Sequence, residues 1–475
     1  MITVMNIATP TLQKLRDIVG VDGYLELADD IAPYLIDHRK IFRGKTPLVL
    51  RPSSTQQVAE ILALCYANNI AVVPSGGNTG YCGGATPSAD GSQVVVSLSR
   101  MRKIRSIDAL NYAMTVEAGC VLAELQKTAE QADRFFPLSL GSEGSCQLGG
   151  NLSTNAGGTA VVRYGMARSL VLGLEVVLAD GRVLDSLQAL RKDNAGYDVR
   201  DLFIGAEGTL GIITAATLKL FPQPKTVVTA LVALNSLEGA IDLLAQLRTA
   251  SGDAITTFEV MPRIVIDFEL KYLKGISDPF DRKHDWYVLI EIQSARNDPA
   301  LAEAIETSLG AAIEAALIDD ALLAQNEAQR LAFWRMREQI PDGERQAGAS
   351  IKHDVSVPIT DIPALVKEGS AAMLMLVPNG RVISFGHLGD GNLHFNLCQP
   401  DRCDPVEFIA MTPQVNRAVH DIVAKYRGSI AAEHGIGQLK RNELAHYKSP
   451  VEMDVMRAIK KALDPKGLMN PGKVI

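Results

Sequence analysis

Apolar positions recur at helical spacing over residues 11–19 and 23–31, and Pro33 interrupts them, which predicts a short helical segment over residues 1–45. A short apolar run at 47–50 predicts a strand. Over 54–69 the pattern returns to a 3.6-residue period, with Val58, Ile61, Leu62 and Cys65 on one face and Ser54 or Thr55 as N-cap. Residues 71–73 predict the next strand, so a βαβ rhythm begins. Runs at 171–178 and 182–184 predict a hairpin turned by Asp180-Gly181 in a type I′ conformation. From about 224 to 415, Ala/Leu-rich helical patterns (237–247, 300–317) alternate with strand patterns (227–232, 286–293, 382–385), an α+β arrangement. A helix is predicted over 321–339, a strand just after Lys352, and a last helix opening at 438–441.

Three glycine-dense tracts interrupt this pattern. The first, Pro74, Ser75, Gly76, Gly77, Asn78, Thr79, Gly80 and Tyr81 on to Gly84, follows a strand and offers backbone N–H groups with few side chains in the way, a device for holding a pyrophosphate. A dinucleotide fits it. No GxGxxG opens a helix here, and Gly44-Lys45-Thr46 is no Walker A because position 39 is Arg, so NAD and ATP lose support. The second tract runs from Pro137 through Gly141, Ser142, Gly144, Gly149, Ser153, Thr154 and Asn155 to Gly158, too apolar for a linker and too glycine-rich for a packed strand. It is expected to wrap a ligand. The third, 201–213, sets Glu207 among apolar neighbours, where it would hold buried polar contacts, and includes Gly211 and Ile212.

Candidate chemistry concentrates in His387-Leu-Gly-Asp-Gly-Asn-Leu-His394, with Glu433-His434 further on. Glycines at 386, 389 and 391 argue against a helix and for two strands joined by a four-residue turn at 389–392. In that register His387 and His394 face each other across the ladder, about 5 Å apart at Cβ. Glu433 would complete a His2Glu ligand set with an open coordination position. Zinc is the first expectation, with manganese or iron as alternatives, because ligand type alone does not select.

Composition narrows the class. A chain of 475 residues, 47% hydrophobic, has room for two or three domains, and its net charge of -7 gives no general attraction to nucleic acid. Six cysteines without CxxC spacing suit reduced thiols, and acidic residues interrupt the first thirty positions. The expectation is a cytoplasmic protein with no membrane span.

The glycine tracts, the His387–His394 hairpin, Glu433-His434 and Met469-Asn470-Pro471-Gly472-Lys473 together resemble the FAD-linked oxidases of the vanillyl-alcohol-oxidase superfamily, in their D-2-hydroxy acid dehydrogenase branch. The resemblance covers nearly the whole chain. It implies an FAD-binding domain of two α+β subdomains over 46–223, a substrate-carrying cap over 224–415 with an antiparallel sheet, and a segment 416–475 whose Asn470 returns to the flavin. FAD would be held non-covalently, Cys82 not serving as an attachment point. The counterparts of Arg337, Lys352 and Asn396 hold substrate in that branch, and where it has a threonine this chain has Pro341, which puts selectivity for a five-carbon diacid in question.

The implied chemistry is FAD- and metal-dependent oxidation of a D-2-hydroxy acid to its 2-oxo acid, D-2-hydroxyglutarate first. The metal would bind the α-hydroxyl, His434 would take its proton, and hydride would pass from C2 to flavin N5. D-lactate or D-malate are alternative substrates, and a flavin subunit of a glycolate-oxidase-like complex is an alternative assembly; a non-catalytic metal scaffold predicts a colourless protein. An electron-transfer flavoprotein or a quinone is the expected electron acceptor, and a homodimer is possible.

Overall fold

The computed structural model describes residues 7–475, which form an α+β protein of two compact units. One unit comprises the described residues up to Gly157, then Met166–Gln223 and Glu433–Ile475; the other comprises Gly158–Gly165 and Pro224–Ala432. No described helix is long and apolar enough to cross a membrane.

The first unit has a helix Thr9–Val19, and then a departure from expectation. The second helical pattern yields a two-residue strand, Tyr24–Leu25, and only Ala28–Ile31 is helical, because Tyr24 and Leu25 pair with Leu50 and Val49. Tertiary pairing overrides a short local pattern here. Helix Thr55–Ala67 begins as predicted, with the Ser54 side chain accepting from the Gln57 N–H, and buries Val58, Ile61, Leu62 and Cys65. Strands Ala71–Ser75 and Gln93–Ser97 run parallel, and Val49–Leu50 joins Gln93–Ser97 in the same sense. The fully buried Val94, Val95 and Val96 make that central strand apolar on both faces. A second, antiparallel sheet orders Ile104–Asp108, Ala113–Glu117, Ile212–Lys219, Val171–Val177 and Val183–Ser186. The turn of its last hairpin is not type I′: Gly181 has φ +89°, but Asp180 is not among the positive-φ residues, and I′ needs both.

In the second unit, Ile255–Pro262, Trp286–Ser294, Thr226–Leu234 and Asp320–Leu323 form an antiparallel sheet carrying helices Leu237–Ser251 and Pro299–Glu314. The helix predicted from 321 starts later, at Glu327–Glu338, since 320–323 is the edge strand. A smaller sheet is built on Asn392–Cys398, with Arg381–Phe385 on one side and Ser350–Ile351 and Asp354–Ser356 on the other.

Candidate active site

Along Asn392–Cys398 apolar and polar side chains alternate up to Leu397. Leu393, Phe395 and Leu397 pack inward, and Phe395 leaves no room for a side chain at Gly369, whose Cβ would lie 2.4 Å from its ring. The period of two therefore turns His394 and Asn396 to the opposite face together. The register differs from the expected one. His394 faces Phe385, not His387, because the connection between the strands spans 386–391 rather than four residues. Gly391 at φ +87° closes it, and a Cβ there would sit 2.4 Å from the Val357 carbonyl oxygen. His387 lies in this connection, yet its ring still meets that of His394 edge-on, centroids 5.5 Å apart. On the other side Asp354 stands opposite His394 in register, and the two offer ligand atoms within 4.8 Å of each other. Asn392 donates to both Asp354 Oδ1 (3.0 Å) and the Val355 carbonyl, which orients that carboxylate. Asp354 was not anticipated; a single acid after Lys352-His353 in a three-residue strand carries little signal.

Each residue expected to hold substrate is tethered by a buried glutamate that sequence reasoning missed. Arg337 donates from Nε to Glu259 Oε2 at 2.6 Å, and Lys352 Nζ reaches Glu344 Oε2 at 2.8 Å. Asn396 Nδ2 donates to the same Glu344 carboxylate at 3.1 Å, while its Oδ1 accepts from the His353 N–H. Both glutamate side chains are only 1% exposed. Burial alone would raise the Glu259 pKa, but Arg337 and His387 beside it prevail and hold it down to about 2. Pro341 occupies the first turn of helix Ile340–Ala347, where its missing N–H costs nothing.

In the first unit the glycine tracts line a cleft of about 990 Å³, counting space open to solvent. Pro74, Ser75, Gly76, Gly77, Asn78, Thr79 and Gly80 line it from the first tract; Gly149, Ser153 and Thr154 from the second; Glu207, Gly211 and Ile212 from the third. The fit to a dinucleotide is physical. A Cβ on Gly77 would meet the Ser145 carbonyl oxygen at 2.3 Å, and Ser75 Oγ and Gln147 Oε1 are buried without a protein partner, donor and acceptor groups left for a ligand. Gln147 and Asn151 of the second tract also line the cleft, as do Leu98 and Ala118, which only the fold brings there.

Other expected contacts lie elsewhere. Tyr81, Pro137, Gly141, Ser142, Gly144 and Asn155 are outside the cleft lining; the Asn155 side chain accepts from the Arg168 N–H, and Gly158 belongs to the second unit. Tyr81 instead packs its ring edge-on against His434 at 4.7 Å. His434 lines the cleft, and its Nε2 is 3.7 Å from Glu433 Oε1. The segment that follows is pinned by Glu207, whose carboxylate accepts from the N–H groups of Ile436 (2.7 Å) and Gly437 (2.8 Å). Burial pushes the Glu207 carboxyl up against these bonds. Asn470 does not line the cleft; its Nδ2 donates to the carbonyls of Gly84 and Glu207, joining the C-terminus to two of the tracts.

Residues 46–186 match the family model described as "FAD binding domain", and 223–474 match "FAD linked oxidases, C-terminal domain". The "Probable D-2-hydroxyglutarate dehydrogenase, mitochondrial" of Oryza sativa subsp. indica is 40% identical over 462 residues, covering 97% of this chain and 80% of that one. The "D-2-hydroxyglutarate dehydrogenase, mitochondrial" of Arabidopsis thaliana is 38% identical with the same coverage, and the D-2-hydroxyglutarate–pyruvate transhydrogenase of Saccharomyces cerevisiae is 34% identical over 98% of this chain and 94% of that one. Among solved structures, p-cresol methylhydroxylase with substrate bound has a TM-score of 0.76 at 17% identity, covering 98% of this chain and 96% of that one, a likeness of fold. The mitochondrial names of the plant relatives overturn the expectation of a cytoplasmic protein: free thiols fit any reducing compartment and do not single one out.

Proposed function

Because this chain belongs to the FAD-linked oxidases and is an FAD-dependent D-2-hydroxy acid dehydrogenase acting on CH–OH, we propose that it oxidises D-2-hydroxyglutarate to 2-oxoglutarate with the help of a divalent metal ion. The observation that carries the choice of a diacid is the pair of cations Arg337 and Lys352, each held in place by its own buried glutamate. The names of the relatives above support the same substrate.

Bound FAD would supply the hydride acceptor, and a bound divalent ion a Lewis acid for the α-hydroxyl oxygen. The ion would be zinc, manganese or iron on His387, His394 and Glu433, with Asp354 beside His394 as a further oxygen donor. The protein's own groups do the remainder. Arg337 pairs with the C1 carboxylate through its terminal nitrogens, since its Nε is committed to Glu259. Lys352 and Asn396, sharing Glu344, address the distal carboxylate. His434 accepts the hydroxyl proton, its ring braced by Tyr81. The acceptor that reoxidises the enzyme would be an electron-transfer flavoprotein or a quinone.

The test is anaerobic bleaching of the flavin absorbance on mixing with D-2-hydroxyglutarate, D-malate, D-lactate and their L forms, with and without chelator. Bleaching by the D-diacid that chelation abolishes and Zn2+ or Mn2+ restores supports the proposal. Bleaching by D-lactate alone removes Lys352 from its role, as the hydroxyl missing at Pro341 would favour, and bleaching unaffected by chelator removes the metal.

A further inference from the structure

Two residues expected to serve different ligands, Arg337 for a substrate carboxylate and His387 for a metal, meet on one side chain. Glu259 accepts from Arg337 Nε on Oε2 at 2.6 Å and bonds His387 Nδ1 through Oε1 at 2.6 Å. It sits in strand Ile255–Pro262 and is itself only 1% exposed, so its carboxylate is screened from bulk solvent. A bridge from the Val260 N–H to the Gly386 carbonyl (2.8 Å), returned by the Gly386 N–H, joins this strand directly to the residue before His387. The arrangement closes on itself through rings: the Arg337 guanidinium lies over Phe385 at 5.1 Å, Phe385 packs on His394 at 4.9 Å, and His394 on His387 at 5.5 Å.

We propose that Glu259 is a positioning residue that couples metal affinity to substrate-carboxylate binding by holding His387 and Arg337 at once. The inference rests on the metal and substrate roles proposed above. A carboxylate on Nδ1 keeps the proton there, so that Nε2 presents its lone pair, and it raises the basicity of the imidazole as a ligand. The same carboxylate on Nε turns the other edge of the guanidinium, with two N–H groups in a fixed fork, toward a carboxylate partner. Because one negative charge serves both, strengthening either bond weakens the other.

The experiment uses the FAD-loaded full chain and three readouts: FAD-to-protein ratio, Zn2+ affinity by competition with a chromophoric chelator, and the concentration dependence of flavin reduction by D-2-hydroxyglutarate. Glu259→Gln is expected to keep wild-type FAD content, weaken Zn2+ about 10- to 100-fold, and raise the half-saturating substrate concentration about 10-fold or more. In a His387→Ala background the same substitution should cost no further Zn2+ affinity, which a general loosening of the fold would not reproduce. Should Glu259→Gln not accumulate as folded protein, Glu259→Asp keeps the charge and shortens the reach, and it should weaken both ligands by smaller factors. Wild-type Zn2+ affinity in the folded Glu259 variants, or losses that add fully to those of His387→Ala, overturns the proposal. If instead His387→Ala and His394→Ala bind Zn2+ as the wild type does, the metal reading fails first, and Glu259 keeps only its bond to Arg337.

Discussion

Glu259 and Glu269 show how far apart two buried carboxyls can be driven by their neighbours. Glu259, with Arg337 and His387 against it, has its pKa lowered from 4.5 to about 2, so it contributes stability that is present above pH 4.5 and lost as pH falls toward 2. Glu269 is fully buried and neither of its carboxyl oxygens has a partner; burial, against a weaker opposing pull from Arg337, raises it to about 8. The sign is then reversed. The folded state binds a proton the unfolded chain has released, so Glu269 makes the protein lose stability as pH rises from 4.5 through 8, by on the order of a few kcal/mol. Glu269→Gln should flatten that decline: urea midpoints at pH 6 and pH 9 should differ less than in the wild type, and an unchanged difference would place the titration elsewhere. Lys352→Met should raise the KM for D-2-hydroxyglutarate about 10-fold, one charge-assisted hydrogen bond's worth, and leave that for D-lactate within about 2-fold; equal effects on both acids would argue against a role at the distal carboxylate.

Among elements, the hairpin at 381–398 carries the most. Its strands were legible from β-leaning runs around a glycine-rich connection, and the pairing of His394 with Asn396 on one face follows from the period of two. The register was not. A connection of 386–391, closed by Gly391, sets Phe385 opposite His394 and moves His387 into the loop, where Glu259 from the neighbouring sheet captures it. Turn length depends on backbone angles and on what the turn packs against, which a list of glycines underdetermines. Gly391→Ala would force a Cβ to within 2.4 Å of the Val357 carbonyl oxygen at φ +87°. It should lower stability by about 1–3 kcal/mol and weaken Zn2+ binding, measured by denaturant unfolding and chelator competition; unchanged metal binding would uncouple the turn from the site. Strand Tyr24–Leu25 was missed because it takes its conformation from a distant partner, Val49–Leu50.

At the scale of the molecule, FAD is expected to act as a folding ligand as well as a reagent. The cleft is built by tracts from three parts of the sequence, and the C-terminus is sewn in by Asn470 on Gly84 and Glu207, so a ligand filling it ties distant segments together. Saturating FAD at 100 times its Kd should stabilise the protein by about 2.7 kcal/mol. The thermal midpoint of the apoprotein should therefore climb with added FAD and not with added NAD. An FAD-independent midpoint would mean that the cleft does not take the dinucleotide.

Length, periodicity and glycine clustering pointed by themselves to an α+β protein with a glycine-dense loop after a strand, a histidine hairpin and a basic helix, because those signals are local: period, turn propensity and the absence of side chains are written in consecutive residues. Only the tertiary structure decided which carboxylates matter. Glu259, Glu344 and Asp354 look like any other acids in their strands and helix, and each has a partner 40 or more positions away, Glu259 with Arg337 and His387, Glu344 with Asn396, Asp354 with His394. A buried charge is tolerated only where the fold delivers its counter-charge, and that delivery is a property of packing, not of sequence neighbourhood.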